Sequence, residues 1–270
     1  MYMMIIKASG EKEPFNEEKV IASIKRAGIP DNLQQKVLAH VKSILKENIT
    51  SYEIYHHITE FLSQSEVPYT AGRYSLKQAL TQLGPTGYPF EDYISELLTL
   101  KGYTTQTRQL LPGKCVTHEI DILAEKDTRR VAIEAKFHND ASTRSDLHVS
   151  LYTHARFEDI KTKHNIDEAW IVTNTKATTD AIAYAECMNM RIISWSHPEE
   201  ESLREEIERF KLYPTTALTT LSIGQKKGLL EKHIVTCLQL LENLKMLDGV
   251  YLSPDQRKKV KEELEFLCKS

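Results

Sequence analysis

Three residues have the types and spacing that could do chemistry: Asp121 in the run His118–Ala124, and Glu134 and Lys136 in the run Arg130–Phe137. In the second run Val131, Ile133, Ala135 and Phe137 alternate with Arg130, Ala132, Glu134 and Lys136. In the first, Glu119 and Asp121 alternate with Ile120 and Ile122. Both runs read as β-strands, which turn successive side chains to opposite faces, so Glu134 and Lys136 share one side and Glu119 and Asp121 share another. A hairpin symmetric about Asp127 and Thr128 pairs Asp121 with Glu134 and Glu119 with Lys136. Side chains opposed in this way stand roughly 4.5–5.5 Å apart at Cβ. Two carboxylates that close repel each other unless a cation lies between them, and Mg2+ or Mn2+ suits carboxylate oxygen. Lys136, at the next position on that face, is placed to hold an attacking water or a phosphate oxygen. Two acids and a lysine around a divalent ion suffice to hydrolyse a phosphodiester, because the ion polarises phosphorus and neutralises developing charge. The same alternation also describes a solvated hairpin face, so the surrounding elements decide between the two readings.

Ahead of the hairpin, a helix Pro89–Leu100 carries Phe90, Tyr93, Ile94, Leu97 and Leu98 at helical spacing and stops at Gly102. Behind it come a polar helix around Leu147–Lys163, a strand Trp170–Asn174, a helix Thr178–Met188 and a strand Arg191–Trp195. Those last three form a βαβ unit with short connections, which implies a parallel pair. Residues 1–86 read as a strand or hairpin followed by helices. Asn16 caps the first of these, with Glu17 and Glu18 in its opening turn. A second places Leu33, Val37, Leu38, Val41, Ile44 and Leu45 on one stripe, and a third begins with the capping-box pattern Thr50-x-x-Glu53. A fourth ends at Gly84-Pro85, a natural boundary. Residues 87–200 hold the hairpin and the βαβ unit, and residues 201–270 are helical and highly charged. The fold class is thus α/β and multidomain, with a mixed sheet at the centre and helical modules on either side.

Composition is that of an ordinary soluble protein: 270 residues, 41% hydrophobic, 27% charged and a net charge of −3. Such a chain has no global basic field, so nucleic-acid binding would come from local patches. Cys115, Cys187, Cys237 and Cys268 stand far apart without a CxxC pair, which argues for reduced thiols in the cytoplasm and against a zinc ribbon. Nothing approaches the length of a membrane span.

The order helix with an early acid (Glu91), Asp strand, Glu-x-Lys strand, helix and βαβ resembles the PD-(D/E)XK nuclease fold. Within it, the runs FEDYISELLTLKGY and VTNTKATTDAIAYAE resemble Mrr-type restriction endonuclease and archaeal Holliday-junction resolvase domains. The resemblance implies that Asp121, Glu134 and the carbonyl of Ala135 are metal ligands. It also implies that Lys136 stabilises the nucleophile or the charge on phosphorus, and that Glu91 binds a second metal or its water. Glu119 is a further ligand or Lys136's partner across the hairpin. His118 falls on the opposite face as a packed or capping residue, and His138, just past the strand, is open to phosphate contact. Arg144, His148, Arg156, Lys161 and Lys163 track a DNA backbone or form a solvated helix face.

The stretch IIKASGEKEPFNEEKVIASIKRAG, with VPYTAGRYSLKQAL, resembles the ATP-cone domain, a regulatory nucleotide sensor. Ile5, Lys7, Glu13, Asn16, Lys19 and Val20 fall on that family's nucleotide-contacting positions. The two lysines offer cations for phosphates, and the start of the Asn16 helix offers backbone donors. Ala8 stands where the family commonly has a basic residue. The run LLEKHIVTCLQLL resembles a helix-hairpin-helix unit, with His233 where glycine is usual, or else it is a packing or oligomerisation module. Together these resemblances imply a Mg2+-dependent DNA endonuclease regulated by ATP or dATP, acting as a homodimer or higher oligomer. The other reading is a nucleotide-sensing DNA-binding regulator without cleavage. Ribonucleotide reduction itself fails on length.

Overall fold

The structure is a computed structural model, and it describes residues 3–7 and 10–269. Ala8 lies outside those residues. Near the amino end, β1 (Met4–Ile6), β2 (Lys12–Pro14) and β3 (Ile49–Thr50) form a small sheet in the order β2-β1-β3. Against it pack α1 (Glu17–Arg26), α2 (Asp31–Ile44) and α3 (Ser51–Ser63). Asn16 Oδ1 accepts from Lys19 N–H at the start of α1, and Thr50 and Glu53 close a reciprocal capping box on α3. These residues enclose a core of their own around Ile24, Val37, Val41, Ile49, Ile58 and Leu62.

The helix expected to end at Gly84 is two helices, α4 (Thr70–Tyr74) and α5 (Leu76–Thr81), broken at Ser75. The break divides the packing. Ala71 belongs to the amino-terminal core, while Leu76, Ala79, Leu80 and Leu83 join the core of the central sheet. Gly84 is needed where it stands, because a Cβ there would meet Asn139 Oδ1 at 2.1 Å and the Phe137 ring at 2.8 Å.

The central region runs α6 (Tyr88–Leu100), β4 (Thr104–Pro112), β5 (Thr117–Lys126), β6 (Arg129–Lys136), β7 (Arg144–Ser145), α7 (Leu147–His164), β8 (Glu168–Thr173), β9 (Lys176–Ala177), α8 (Thr179–Cys187) and β10 (Arg191–Ile193). Five strands form one mixed sheet in the order β10-β8-β6-β5-β4, with β7 and β9 as a short parallel pair. β4, β5 and β6 are antiparallel, whereas β6, β8 and β10 are parallel, as the βαβ reading required. Phe90, Tyr93 and Ile94 of α6 pack with Ile122, Ile133 and Trp170 on one face. Phe157 and Ile160 of α7 and Ala181 and Ala185 of α8 pack with Ile120, Ala132 and Ile171 on the other. Burying a side chain such as Phe90 contributes roughly 1.5–3 kcal/mol, so α6 is held firmly at the sheet.

The chain ends in α9 (Leu203–Phe210), α10 (Ile223–Leu230), α11 (Cys237–Glu242) and α12 (Pro254–Lys269), with 3-10 turns at Thr215–Ala217 and Leu244–Gly249. Their apolar faces, including Leu229, Leu240, Val260 and Leu264, share the α6 core rather than forming a separate one. Buried Glu263 ties this part together by accepting from the backbone and hydroxyl groups of Thr219 and Thr220 at 2.6–3.0 Å. No helix of the described residues is long and apolar enough to cross a membrane.

Candidate active site

The β5–β6 ladder runs from Lys126↔Arg129 to Ile122↔Ile133, so its turn is symmetric about Asp127 and Thr128, and Asp127 adopts φ 55°. The next step of that register sets Asp121 opposite Glu134, but here the strands part. Asp121 Oδ2 accepts from Ala135 N–H at 2.8 Å, so a side chain takes the place of a ladder bond. β6 turns to β8 instead, pairing Glu134 with Ile171 and Lys136 with Thr173.

The expected grouping of Ile120 with Ile122 does not hold. Ile120 lines a cavity with Phe157 and Ile160, while Ile122 packs with the α6 core. The cause lies across the neighbouring ladder, where Arg108 takes a left-handed φ of 54° and the β4–β5 pairing skips the Arg108–Asp121 step. The distortion swings alternation over at Asp121.

Each acid is held by something cationic or polar. Glu134 Oε2 accepts from Arg156 Nη1 of α7 at 2.5 Å, and the two side chains are only 15% and 11% exposed. Glu91, in the first turn of α6 and 7% exposed, accepts from Arg108 Nη1 at 3.1 Å. Asp92 accepts from Arg108 Nη2 at 2.8 Å and, through its other oxygen, pairs with His233 Nδ1 at 2.7 Å. Burial, and then repulsion from Asp121, pushes the Glu91 carboxyl up to about 7. Burial and Asp121 raise Glu134 likewise, and burial raises Asp121. Lys136 forms no ion pair among the described residues, and neither does Glu119, so the two do not partner each other across the hairpin.

The donor set suits a hard divalent ion. Asp121 Oδ1 and Glu134 Oε1 take no hydrogen bond from the described residues, and burial raises both carboxyls. Among the described residues no three Asp, Glu, His or Cys side chains converge as a ready cage, since Glu91 is turned to Arg108. The two facing acids and the Ala135 carbonyl are therefore the residues that would hold such an ion.

His118 pairs with Asp159 Oδ2 at 2.8 Å, and Asp159 also accepts from the backbone N–H groups of Cys115 and Val116. It is a packed residue, as expected. His138 N–H donates to Asn174 Oδ1, and the ring pairs with Ser145 Oγ at 3.0 Å. Burial, and then nearby Lys136, lowers its pKa. Of the five basic candidates on the following segment, Arg156 enters the site. Arg144 is exposed on β7, His148 lies against its cap Asp146, Lys161 pairs with Glu158, and Lys163 reaches Gly113. Sequence reasoning misses Arg108 because β4 is not read as a strand, for which the β-branched Thr104, Thr105 and Thr107 are the available signal, and it misses Asp92 and His233 because their contact joins α6 to the α10–α11 turn.

At the amino end, Ile5, Glu13, Asn16, Lys19 and Val20 line one cavity of about 190 Å3, closed by Tyr55 and Tyr74. Lys7 and Lys19 both reach Glu13 Oε2, at 3.0 and 2.8 Å. Lys19, and then Lys7, holds the Glu13 carboxyl below its ordinary range. The turn between α10 and α11 places His233 at φ 58°, yet the N–H groups of Lys232, His233 and Ile234 all donate to Leu229 or Leu230 carbonyls. That turn has no spare amide for a phosphate.

Three family models match the chain in succession: the ATP cone domain over residues 3–81, a restriction endonuclease over 85–199, and AF1548-like, C-terminal over 213–268. An uncharacterized protein of Archaeoglobus fulgidus is 41% identical over 125 residues, 46% of this chain and 71% of that protein. A solved structure titled "Crystal Structure of Protein of Unknown Function AF1548" superposes with a TM-score of 0.59 at 32% identity, covering 68% of this chain and 100% of that one. The chain belongs to the family of these relatives: a restriction endonuclease domain with an AF1548-like C-terminal domain, joined here to an ATP cone.

Proposed function

We propose that the protein is a Mg2+-dependent endonuclease of the cytoplasm that hydrolyses DNA phosphodiester bonds and is regulated by ATP or dATP bound at the cone. The observation that carries this reading is the parting of β5 and β6. Beyond it Asp121 and Glu134 stand close together, Ala135 N–H donates to Asp121, and Lys136 has no ion pair among the described residues. A divalent ion there would supply Lewis-acid polarisation of the phosphate. Asp121, Glu134 and the Ala135 carbonyl would hold it, with Glu91 behind them as a further acid. Lys136 is available to orient the attacking water or to neutralise charge on a phosphate oxygen. Ile5, Lys7, Glu13, Asn16, Lys19 and Val20 would receive the nucleotide, with phosphates competing against Glu13 for the two lysines.

One observation favours the other reading, a nucleotide-sensing DNA-binding regulator without cleavage: Arg156 and Arg108 already pair with Glu134 and Glu91. Incubation with supercoiled, linear and branched DNA separates the two, with Mg2+ or Mn2+ and with or without ATP and dATP. Metal-dependent cleavage that nucleotide modulates supports the nuclease, whereas metal-independent binding with every substrate left intact supports the regulator.

A further inference from the structure

A second cleft lies outside both sites, where the cone meets the rest of the chain. A cavity of about 220 Å3 opens between the end of α1, the α4–α5 break, Trp195 and α9. Arg26, Arg73, Lys77 and Arg204 line it, and Glu208 is the one carboxylate among its lining residues. In a chain of net charge −3, four cations around one acid reverse the local field.

Glu208 is shared between Arg204 and Arg26, so one carboxylate serves two guanidinium groups. Arg26 forms no ion pair among the described residues, and Lys77 Nζ donates to the Ala141 carbonyl at 3.1 Å, with Asp140 as its nearby carboxylate. Arg204 meets Glu205 at 3.2 Å, but its Nε is buried without a hydrogen bond. Arg73 is fixed in the wall by Phe266, whose carbonyl accepts from Nη2 at 2.7 Å and whose ring lies 4.3 Å from the guanidinium. Burial, and then repulsion from Lys176, lowers the pKa of Lys77 against the opposing pull of Asp140. The Tyr55 and Tyr74 rings stack at 5.6 Å, and both also line the cone cavity, so this pair is the partition between the two spaces.

Guanidinium forks and an ammonium converging on one cavity suit an anion with several oxygens, which can accept charge-assisted bonds from all of them. We infer that this cleft is an anion site for the oligophosphate group of a nucleotide, distinct from the cone cavity and read jointly by the cone and α9. The charge argument is independent of the proposed cone site; only the choice of a nucleotide as the source rests on it. Occupancy bears on the nuclease domain directly, because Lys77 bonds the loop that follows the Lys136 strand.

Titration calorimetry on the full chain tests the site, with sodium tripolyphosphate and ATP as separate ligands. Tripolyphosphate is expected to bind the wild type, and its affinity to fall at least about tenfold in Arg204→Gln and in Arg26→Gln, the loss of a hydrogen bond to a charged group. Arg26 is exposed, so its substitution keeps the fold even if Arg204→Gln disturbs it. Lys19→Ala, in the cone cavity, is expected to weaken ATP while keeping the tripolyphosphate component that Arg26→Gln and Arg204→Gln remove. An ATP isotherm insensitive to Lys19→Ala, alongside tripolyphosphate binding lost in Arg26→Gln, would remove the cone site and keep this one. Tripolyphosphate affinity that is undetectable, or equal in the wild type and both arginine variants, would overturn the inference. So would a cleft that binds duplex DNA and not tripolyphosphate.

Discussion

Glu134 is under two opposing demands: burial beside Asp121 raises its carboxyl, and Arg156 at 2.5 Å stabilises its charge. Removing one partner of such a buried pair costs about 3–5 kcal/mol, because the other is left charged and dry. Arg156→Ala is therefore expected to unfold more easily in EDTA, and to regain more stability from added Mg2+ than the wild type does. Thermal unfolding with EDTA and with Mg2+ measures both, and equal Mg2+ shifts in the two proteins would contradict the arrangement. Asp121→Ala, Glu134→Ala and Lys136→Ala are each expected to lose at least about a hundredfold in cleavage rate with the fold kept. Circular dichroism paired with a plasmid-cleavage assay checks this; Glu134→Ala cutting at the wild-type rate would displace the site.

At the scale of elements, α3 shows how local sequence anchors the cone. Thr50 Oγ1 accepts from Glu53 N–H at 3.0 Å and Glu53 accepts from Thr50 N–H at 2.9 Å. Thr50→Ala is expected to cost about 1 kcal/mol, the usual worth of such a cap. The Thr50 backbone bond, and then Lys46, lowers the Glu53 carboxyl from 4.5 to about 2. A depressed carboxyl contributes its stability above its unfolded value and loses it as pH falls through its folded one, so the loss falls between about 4.5 and 2. Denaturant titrations at pH 6 and pH 2.5 should show a smaller acid-induced drop in Glu53→Gln than in the wild type. An equal drop would place the acid sensitivity elsewhere.

For the whole molecule, the number of sites sets an expectation about assembly. One Asp121/Glu134/Lys136 centre, acting as proposed, would cut one phosphodiester, but breaking a duplex or resolving a junction takes two cuts on opposing strands. Soluble oligomers are mostly two-fold symmetric, so an active homodimer is expected, with two centres related by the dyad. Light scattering coupled to size exclusion, with and without nucleotide, should give a mass above that of one chain. A single-chain mass in every condition, together with double-strand cleavage at low enzyme concentration, would exclude the dimer.

Much of this protein is legible in the sequence because it is written in local rules. The hairpin register follows from alternation and the Asp127–Thr128 turn, the α1 and α3 starts from their caps, and the parallel β8–β10 pair from a short βαβ connection. Asp121, Glu134 and Lys136 lie just beyond the end of that register, where β5 and β6 part. What tertiary structure alone decided is which charges meet across elements. Arg108 reaches Glu91 from an unread edge strand, Arg156 turns from a polar helix onto Glu134, and His233 reaches Asp92 across 141 residues of chain. No periodicity encodes these contacts, because they depend on helices settling against the sheet through buried faces. The polar side chains opposite those faces then meet wherever that packing carries them.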